Sequence, residues 1–414
     1  MSTADKPLRV AIVHDWLLGG GAELVVEQLH KLYPEAPIYT SYCTDEWRKR
    51  LDGKVITGWL QHLGAIRKFI PFLRILWFQN LKFDDYDLVI SSSGAEAKGI
   101  RVNKKPKKSF SDLLAALGAR EHRKGVVHEG TASAERNVQQ RDGSKFRKTL
   151  HVNYCHAPTH YYWSRYDEYM AHPGFGALDP LARIGLKLLA APLRRWDLKA
   201  AKRPDYIIAN STHIQAEIKK YYGRDSTVVF PPIDTARFGK PENQELPRSG
   251  FQISGRQTPY KRFDLAVQAC TELGLQLRVI GDGPDHARLV SLAGPTVTFL
   301  GRVSDAELEK EFGSATALVF PGLDDFGITP VEAMAAGTPV IAYRAGGSLD
   351  YVVPGQTGEF FAERIVESLK TALLSFDPST YQRSVLQTKA AEFSPELFRT
   401  KLQSIINDQL GARS

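Results

Sequence analysis

The sequence has no long apolar run. No stretch of about 18 consecutive apolar residues occurs among its 414 residues, so no transmembrane helix is predicted. The opening segment, MSTADKPLRVAIVHDW, leads directly into a strand-like stretch and lacks the charged, apolar and small-residue regions of a signal peptide. We therefore expect a cytoplasmic protein.

Cysteine is scarce. The three cysteines are scattered, odd in number and without the spacing of metal ligands, which indicates buried thiols in a reducing compartment. They are Cys43, Cys155 and Cys270. One functional alternative is a nucleophilic Cys155 beside His156.

Two phosphate-binding signatures are also missing. The chain contains neither G-x-G-x-x-G nor a P-loop, which disfavours nicotinamide and ATP chemistry. Acidic pairs such as Asp84–Asp85 are interpreted as solvated turns, so no metal site and no cofactor are predicted.

The positive charge belongs to one segment. The net charge is +8, yet residues 101–150 hold 13 of the 54 Lys/Arg and only 5 of the 46 Asp/Glu, and the remaining chain carries equal numbers of each sign. Because this segment has no periodic pattern, residues 103–148 are predicted to be an inserted loop. A binding arm for anionic phospholipid or nucleic acid is the alternative. The absence of interleaved aromatic residues argues against nucleic acid.

The length and the strand pattern predict two α/β domains. A chain of this size exceeds a single compact core and suits two domains of roughly 200 residues. Apolar strand-like runs such as LRVAIVHDW, DLVISSS and LHVNYCHA alternate with helical runs, which is typical of a doubly wound parallel sheet. The pattern restarts with FQISGR, LQLRVIGDG, TVTFLGR, ALVFPG and PVIAY. We predict Rossmann-like domains at 1–226 and 227–395, followed by an amphipathic helix at 396–414 that packs against either domain.

Residues 65–83, AIRKFIPFLRILWFQNLKF, mix cations with aromatic and aliphatic bulk. This composition suits an interfacial helix lying on a membrane surface. A buried helix whose cations reach outward to solvent explains it equally well.

The stretch PGLDDFGITPVEAMAAGTPVIA places two carboxylates around a turn. Thr329 to Glu332 has the pattern of a capping box, with Pro330 at the first helical position, and predicts a helix from Pro330 to about Ala336. Residues 326–328 would form the turn below the helix N-terminus, where free N–H groups and the helix dipole favour an anion. The alternatives are that Glu332 merely caps its own helix and that Asp324 is a surface acid.

A second turn, SGRQTPYKRFDLAV, has the same design. Thr258 is predicted to cap a helix that starts at Pro259, and Arg256 and Lys261 are placed to hold a diphosphate. A solvated basic turn is the alternative. The segments IGDGP and GGGAE repeat the strand–glycine–helix arrangement.

Together these segments resemble the retaining family 4 glycosyltransferases. The resemblance covers nearly the whole chain outside roughly 103–148, and YCHAP followed by YYW is similar to bacterial mannosyltransferases of surface-polysaccharide assembly. It implies a GT-B fold, a GDP-mannose donor, and a glycan or polyprenyl-linked acceptor at the inner face of the cytoplasmic membrane. It is carried by GGGAE, NYCHAPTHYYW, IIANSTHI, SGRQTPYKRFDLA, IGDGP, FLGRVSDAEL and DDFGITPVEAMAAGTPVIA.

The resemblance implies roles for the second domain. Glu332 matches the second glutamate of the family's E-x7-E motif, which holds the ribose hydroxyls, and Asp324 matches the first, which contacts the donor sugar. Arg256 and Lys261 match the pair that neutralises the diphosphate. The resemblance also implies that backbone N–H groups contact the sugar and phosphate at Phe326, Gly327 and Ile328. Val303 lies where the family's loop binds the base through its backbone.

In the first domain, Gly20 and Gly21 match the loop that approaches the diphosphate. His156 matches a histidine near the reacting face of the sugar, with a core histidine as the alternative. The family usually has Glu where this chain has Asp324, so the carboxylate is one methylene shorter, and either the loop moves inward to compensate or donor placement is loosened. The insertion after Ile100 is a second departure.

The implied chemistry is transfer with retained anomeric configuration and without a metal. Negative charge develops on the departing diphosphate, and Arg256, Lys261 and the helix dipole would stabilise it. Closure of the cleft is expected about a hinge near Pro231–Pro232. Two alternatives stay open: a UDP-N-acetylglucosamine 2-epimerase-like enzyme, and a non-catalytic protein that binds nucleotide sugars.

Overall fold

The computed structural model describes residues 7–63, 71–103, 148–171 and 179–413. Most of the predicted insertion at 103–148 and the beginning of the segment 65–83 lie outside these ranges. The described chain forms two parallel β-sheets with helices on both faces. The doubly wound prediction is therefore confirmed for both halves of the chain.

The first sheet has seven parallel strands in the order β3-β2-β1-β4-β5-β6-β7. Every residue of β1, β4 and β5 is buried, as expected for strands that are covered on both faces. The strands are β1 Val10–His14, β2 Ile38–Thr40, β3 Val55–Thr57, β4 Leu88–Ser92, β5 Leu150–Cys155, β6 Tyr206–Ala209 and β7 Thr227–Val228. The helices are α1 Gly21–Leu32, α2 Asp45–Arg50, α3 Pro71–Asn80, α4 Tyr166–Ala171, α5 Asp179–Ala201 and α6 Thr212–Tyr222.

The second sheet has six parallel strands in the order β10-β9-β8-β11-β12-β13. Its strands are β8 Phe251–Ser254, β9 Leu277–Ile280, β10 Val297–Gly301, β11 Ala317–Phe320, β12 Val340–Tyr343 and β13 Gly358–Phe361. The helices that follow α6 are α7 Thr235–Phe238, α8 Pro241–Gln244, α9 Phe263–Leu273, α10 His286–Leu292, α11 Asp305–Ser314, α12 Ile328–Ala335, α13 Val366–Ser375, α14 Arg383–Ala391 and α15 Pro395–Gly411.

The domain boundary lies a few residues after the predicted one. Strand β7 pairs with β6, and Val229 belongs to the core of the first domain. Ile233 belongs to the core of the second domain. The predicted start at 227 is therefore wrong, because the first sheet continues through residue 228. The crossing includes Pro231–Pro232, where a hinge is predicted.

The last helix returns to the first domain. Phe398, Leu402 and Ile406 of α15 are buried in the same cluster as the core of the first sheet. The Phe398 ring lies edge-on to Tyr154 of β5, with ring centroids 5.7 Å apart. This apolar contact decides between the two packing partners that the sequence left open.

The described part of the segment 65–83 behaves as a partly buried helix. Arg74 of α3 is buried and its guanidinium pairs with Glu96 at 2.7 Å, so it is not the membrane-facing cation that the interfacial interpretation required. Trp77 is also buried, whereas Phe72 and Leu76 are exposed. Among the described helices, none combines the length and the apolar character needed to cross a bilayer.

Candidate active site

The candidate site lies where the carboxyl ends of both sheets meet. All strands within each sheet are parallel, so the loops that follow them share one edge. The order of the first sheet reverses between β1 and β4, and that of the second between β8 and β11. Ligands bind in the crevice at such switch points in open α/β sheets.

The loop between β11 and α12 carries the predicted donor residues. Gly327 has φ 87°, and a Cβ atom there would lie 2.7 Å from the Tyr351 hydroxyl oxygen, so only glycine fits without strain. This turn starts α12 at Ile328 instead of Pro330. The predicted capping box is therefore wrong: Gly327 is the N-cap, and no side chain caps the helix. Glu332 therefore does not cap its own helix, which was the alternative to a role in binding.

Lys261 and Asp324 form an ion pair, with Nζ and Oδ2 2.8 Å apart. Burial would lower the pKa of Lys261, but Asp324 outweighs it and raises that pKa above its ordinary value. The second carboxylate oxygen, Oδ1, is buried and has no hydrogen-bond partner among the described residues. The ammonium group is charged, and the carboxylate has one acceptor atom to spare.

Arg256 is exposed at the end of β8, next to Lys261. A Cβ atom on the preceding Gly255 would lie 3.9 Å from the Lys261 Nζ atom, so the ammonium group lies beside the backbone one residue before Arg256. We call the turn that carries Arg256 and Lys261 the basic corner. The predicted helix after this turn begins later than Pro259. A single 3₁₀ turn spans Pro259–Lys261, and α9 starts at Phe263 after Arg262 adopts φ 54°.

Glu332 lies on the first turns of α12, toward α11. Burial raises its pKa to about 7, opposed by Arg237 and assisted by Asp305 and Asp234. Asp305 begins α11, directly after Val303 and Ser304. The structure thus places Glu332 and the Val303 loop on the same side of the site.

The glycine loop of the first domain faces α12. Glu23 accepts hydrogen bonds from the backbone N–H groups of Leu18 and Gly19, at 3.2 and 3.0 Å, and so fixes the loop. A Cβ atom on Gly21 would lie 2.1 Å from the Ile328 side chain. The N-termini of α1 and α12 are therefore in contact across the cleft, and the loop of Gly20 and Gly21 meets the loop of residues 326–328.

His156 follows β5 and lies partly buried in the same cleft. Its Nε2 atom is 2.8 Å from the Ser92 hydroxyl oxygen. Burial, with a smaller contribution from neighbouring His14, lowers its pKa to about 3, so the imidazole is neutral at physiological pH. The preceding Cys155 is buried, and burial raises its pKa to about 12, which argues against a thiolate nucleophile.

His156 lines a cavity of about 260 Å³ that is formed by the first domain, with Asp325 of the second domain at its border. Its aromatic walls are Trp16, Tyr161 and Tyr169, and Glu23 contributes a carboxylate. Apolar ring faces combined with a few polar groups are typical of small-molecule sites. The volume and the lining suit a sugar ring.

Three residues of the first domain that the sequence did not reveal hold the loop of Asp324. His160 pairs with Asp325 at 2.9 Å, and Ser211 donates to the Asp325 carbonyl oxygen at 2.5 Å. Arg165 donates to the Leu323 carbonyl oxygen at 2.9 Å. We call His160, Arg165 and Ser211 the clamp residues.

The clamp fixes the charge of Asp325. Burial would raise the pKa of this carboxyl group, but His160 and Arg165 outweigh it and lower the pKa below its ordinary value. Arg165 also lies over the ring of Tyr260, 4.5 Å from its centroid, beside Lys261. The clamp thus links the donor loop and the basic turn to the first domain.

No group of three or more His, Cys, Asp or Glu residues is arranged to hold a metal ion in the part of the chain that the structure describes. The predicted independence from metal stays a prediction.

The second domain matches a known family. Residues 235–390 match the model of Glycosyl transferases group 1. A 106-residue stretch is 42% identical to a GDP-mannose-dependent alpha-mannosyltransferase of Mycolicibacterium smegmatis, covering 25% of this chain and 28% of that protein. The lipopolysaccharide core biosynthesis mannosyltransferase LpcC of Rhizobium leguminosarum is 29% identical over 268 residues, which is 56% of this chain and 74% of that protein.

The fold of the whole chain is that of GT-B glycosyltransferase structures. The structure of Anabaena Alr3699/HepE in complex with UDP superimposes with a TM-score of 0.64 at 15% identity, covering 97% of this chain and all of that one. Most curated relatives are matched over 28% to 49% of their own length.

Proposed function

Because residues 235–390 match group 1 glycosyltransferases and the whole chain has a GT-B fold, we propose that this protein is a retaining hexosyltransferase. It moves mannose from GDP-mannose to a lipid-linked or saccharide acceptor in polysaccharide assembly. One observation carries the proposal: the N-termini of α1 and α12 meet across the cleft, beside the Lys261–Asp324 pair. Uncapped backbone N–H groups and cations at one point form a site for a diphosphate.

The choice of mannose and GDP is supported by two relatives. One is described as a GDP-mannose-dependent alpha-mannosyltransferase, and the other is a mannosyltransferase of lipopolysaccharide core biosynthesis. The preference for guanine over uracil requires a test of its own, because the similar Anabaena structure contains UDP.

Different residues of the second domain bind different parts of the donor. The Val303 backbone contacts the base, and Glu332, which lies on the same side of the site, accepts hydrogen bonds from the ribose hydroxyls. Arg256 and Lys261 neutralise the diphosphate. Asp324 accepts a hydrogen bond from a sugar hydroxyl through Oδ1, a role supported by the lack of any other partner for this atom among the described residues.

The bond from the anomeric carbon to the diphosphate oxygen breaks, and the acceptor hydroxyl oxygen forms its bond from the same face. The hydroxyl proton passes to the departing diphosphate oxygen, which gains negative charge as the first bond breaks. The charge that develops on the diphosphate is stabilised by Arg256, Lys261 and the N–H groups of residues 326–328, which need no reorganisation during the step. A neutral His156 adds no competing positive charge near the sugar. It is able to orient a hydroxyl group by hydrogen bonding.

The test is a transfer assay with GDP-mannose labelled in the sugar. Purified protein is incubated with a membrane lipid extract and, in parallel, with labelled UDP-glucose and UDP-N-acetylglucosamine, each with and without EDTA. Mannose in the lipid fraction with an α-linkage, unaffected by EDTA, is the expected result. Epimerisation of UDP-N-acetylglucosamine without transfer would instead identify the epimerase alternative. Binding of donors without any turnover would identify the non-catalytic one.

A further inference from the structure

Helix α5 has an outward face that is left exposed. Its buried residues, Ala190, Leu193, Asp197, Ala200 and Ala201, lie on one side of the helix and pack on the first domain. At 100° per residue, Leu181, Ile184 and Leu188 lie on the opposite side. These three side chains are 67%, 57% and 71% exposed.

The same face becomes basic toward the C-terminus of the helix. Continuing the helical spacing from Leu188 leads to Arg195 and Lys199, and both are exposed. The only acidic residue in this half of the helix, Asp197, points inward and pairs with Lys98 at 2.6 Å. The face therefore consists of three large apolar side chains followed by two cations, neither of which has an acidic partner among the residues that the structure describes. It spans about 27 Å along the helix axis.

We propose that this face of α5 binds an anionic phospholipid bilayer. An apolar stripe of this kind inserts at the boundary between head groups and acyl chains, while nearby cations pair with phosphate groups. This is a different element from the segment 65–83 that the sequence suggested. Helix α3 shares a buried cluster with α5 through Ile75 and Leu193, and it carries exposed Phe72 and Leu76 of its own.

The charge pattern favours a bilayer over a second copy of the chain. A two-fold dimer presents the same patch on both subunits, so it would cover Arg195 and Lys199 with an identical stripe that has no acidic side chain to pair with them. The cores of protein interfaces are also depleted of charged residues, whereas this stripe continues directly into cations. An anionic surface neutralises these charges and covers the apolar side chains at the same time.

The experiment measures co-sedimentation of the full chain with vesicles of phosphatidylcholine alone or with about one-third phosphatidylglycerol. The stripe variant is Leu181→Ser/Ile184→Ser/Leu188→Ser. The matched control, Leu349→Ser/Ile365→Ser/Leu374→Ser, removes exposed apolar side chains from the second domain, where they are 52%, 49% and 69% exposed. Arg195→Gln/Lys199→Gln tests the charge. None of these residues belongs to the candidate active site, so the result is independent of the proposed function.

We expect the wild type and the matched control to bind the anionic vesicles, and binding to weaken as salt is added. The stripe variant and the charge variant should each bind at least about tenfold more weakly, with unchanged melting temperatures. The proposal is overturned if the stripe variant binds like the wild type, or if the wild type binds neither kind of vesicle. It is also overturned if the wild type is a dimer that the stripe variant dissociates, or if the stripe variant loses thermal stability without any change in vesicle binding.

Discussion

The pairing of Lys261 with Asp324 allows a decisive test of what the lysine does. Three variants are needed: Lys261→Met, which keeps the length of the side chain without its charge, Asp324→Asn, and the double variant. If the lysine neutralises a diphosphate, its loss should impair transfer whether or not Asp324 is charged. If it only neutralises Asp324, its loss should cost nothing once residue 324 is an amide.

The stability change follows from the geometry of the pair. The two side chains are 19% and 14% exposed, and the atoms are 2.8 Å apart. Removing the ammonium group leaves a mostly buried carboxylate without its charged partner, which costs about 2 kcal/mol of unfolding free energy. The double variant should recover most of this loss, because the amide needs no counter-charge. Urea unfolding of the three variants measures both values.

The activity change should follow a different pattern. Losing one preorganised donor to a charge that develops in the transition state costs roughly 3 kcal/mol, so kcat/KM should fall about 10²-fold or more in Lys261→Met. The kcat/KM of the double variant should likewise be about 10²-fold lower than that of Asp324→Asn. Initial rates of mannose transfer give these ratios. The diphosphate role is refuted if Lys261→Met keeps near-wild-type turnover, or if it has no effect in the Asp324→Asn background.

Three further predictions concern other parts of the site. Because the folded-state pKa of Glu332 is raised to about 7, the folded protein holds a proton that the unfolded chain has released, so the unfolding free energy should fall as pH rises from about 4.3 to 7. Glu332→Gln should flatten this dependence in denaturation at pH 5 and 7, and an unchanged slope would contradict the assignment. His160→Asn removes the ion pair with Asp325 and should raise KM for the donor several-fold in steady-state kinetics, and unaltered kcat and KM would show that the clamp is dispensable. Gly327→Ala should lower the unfolding free energy by about 2 kcal/mol, because it combines a positive φ with a clash. Tyr351→Phe in the same chain should recover part of this loss, and a fully stable Gly327→Ala protein would refute the loop geometry.

Much of the fold follows from local sequence. Strands such as β1 and β4 are continuous apolar runs because both faces are covered, and this pattern identified them without any structure. The sequence does not identify strands β3, β7 and β13, because they contain only three, two and four residues and are only partly buried. Such short segments depend on their neighbours in the sheet more than on their own composition.

The start of α12 shows where local signals mislead. Thr329 and Pro330 fit the statistics of a helix start, but the left-handed turn at Gly327 places Ile328 in the helix already. A glycine is compatible with many conformations, so the sequence alone does not choose between them.

The clamp depends on long-range pairing. His160 and Asp325 are 165 residues apart, and each lies in a segment whose local pattern indicates only a loop beside a predicted site residue. Arg74 is a similar case: its composition suggested a membrane surface, and its buried partner Glu96 lies outside the segment. The sequence signals for the clamp are that Asp325 follows Asp324 directly and that His160 and Ser211 lie inside the quoted segments NYCHAPTHYYW and IIANSTHI.

The central claim is that the cleft binds a nucleoside diphosphate through the basic corner of the second domain. Calorimetric titration of GDP and UDP into the wild type and into Arg256→Ala/Lys261→Met tests it most directly. We predict one GDP per chain, tighter binding of GDP than of UDP, and a loss of affinity of about 10²-fold in the double variant. Equal affinity of the wild type and the double variant for GDP, or no binding of either nucleotide by the wild type, would contradict the account.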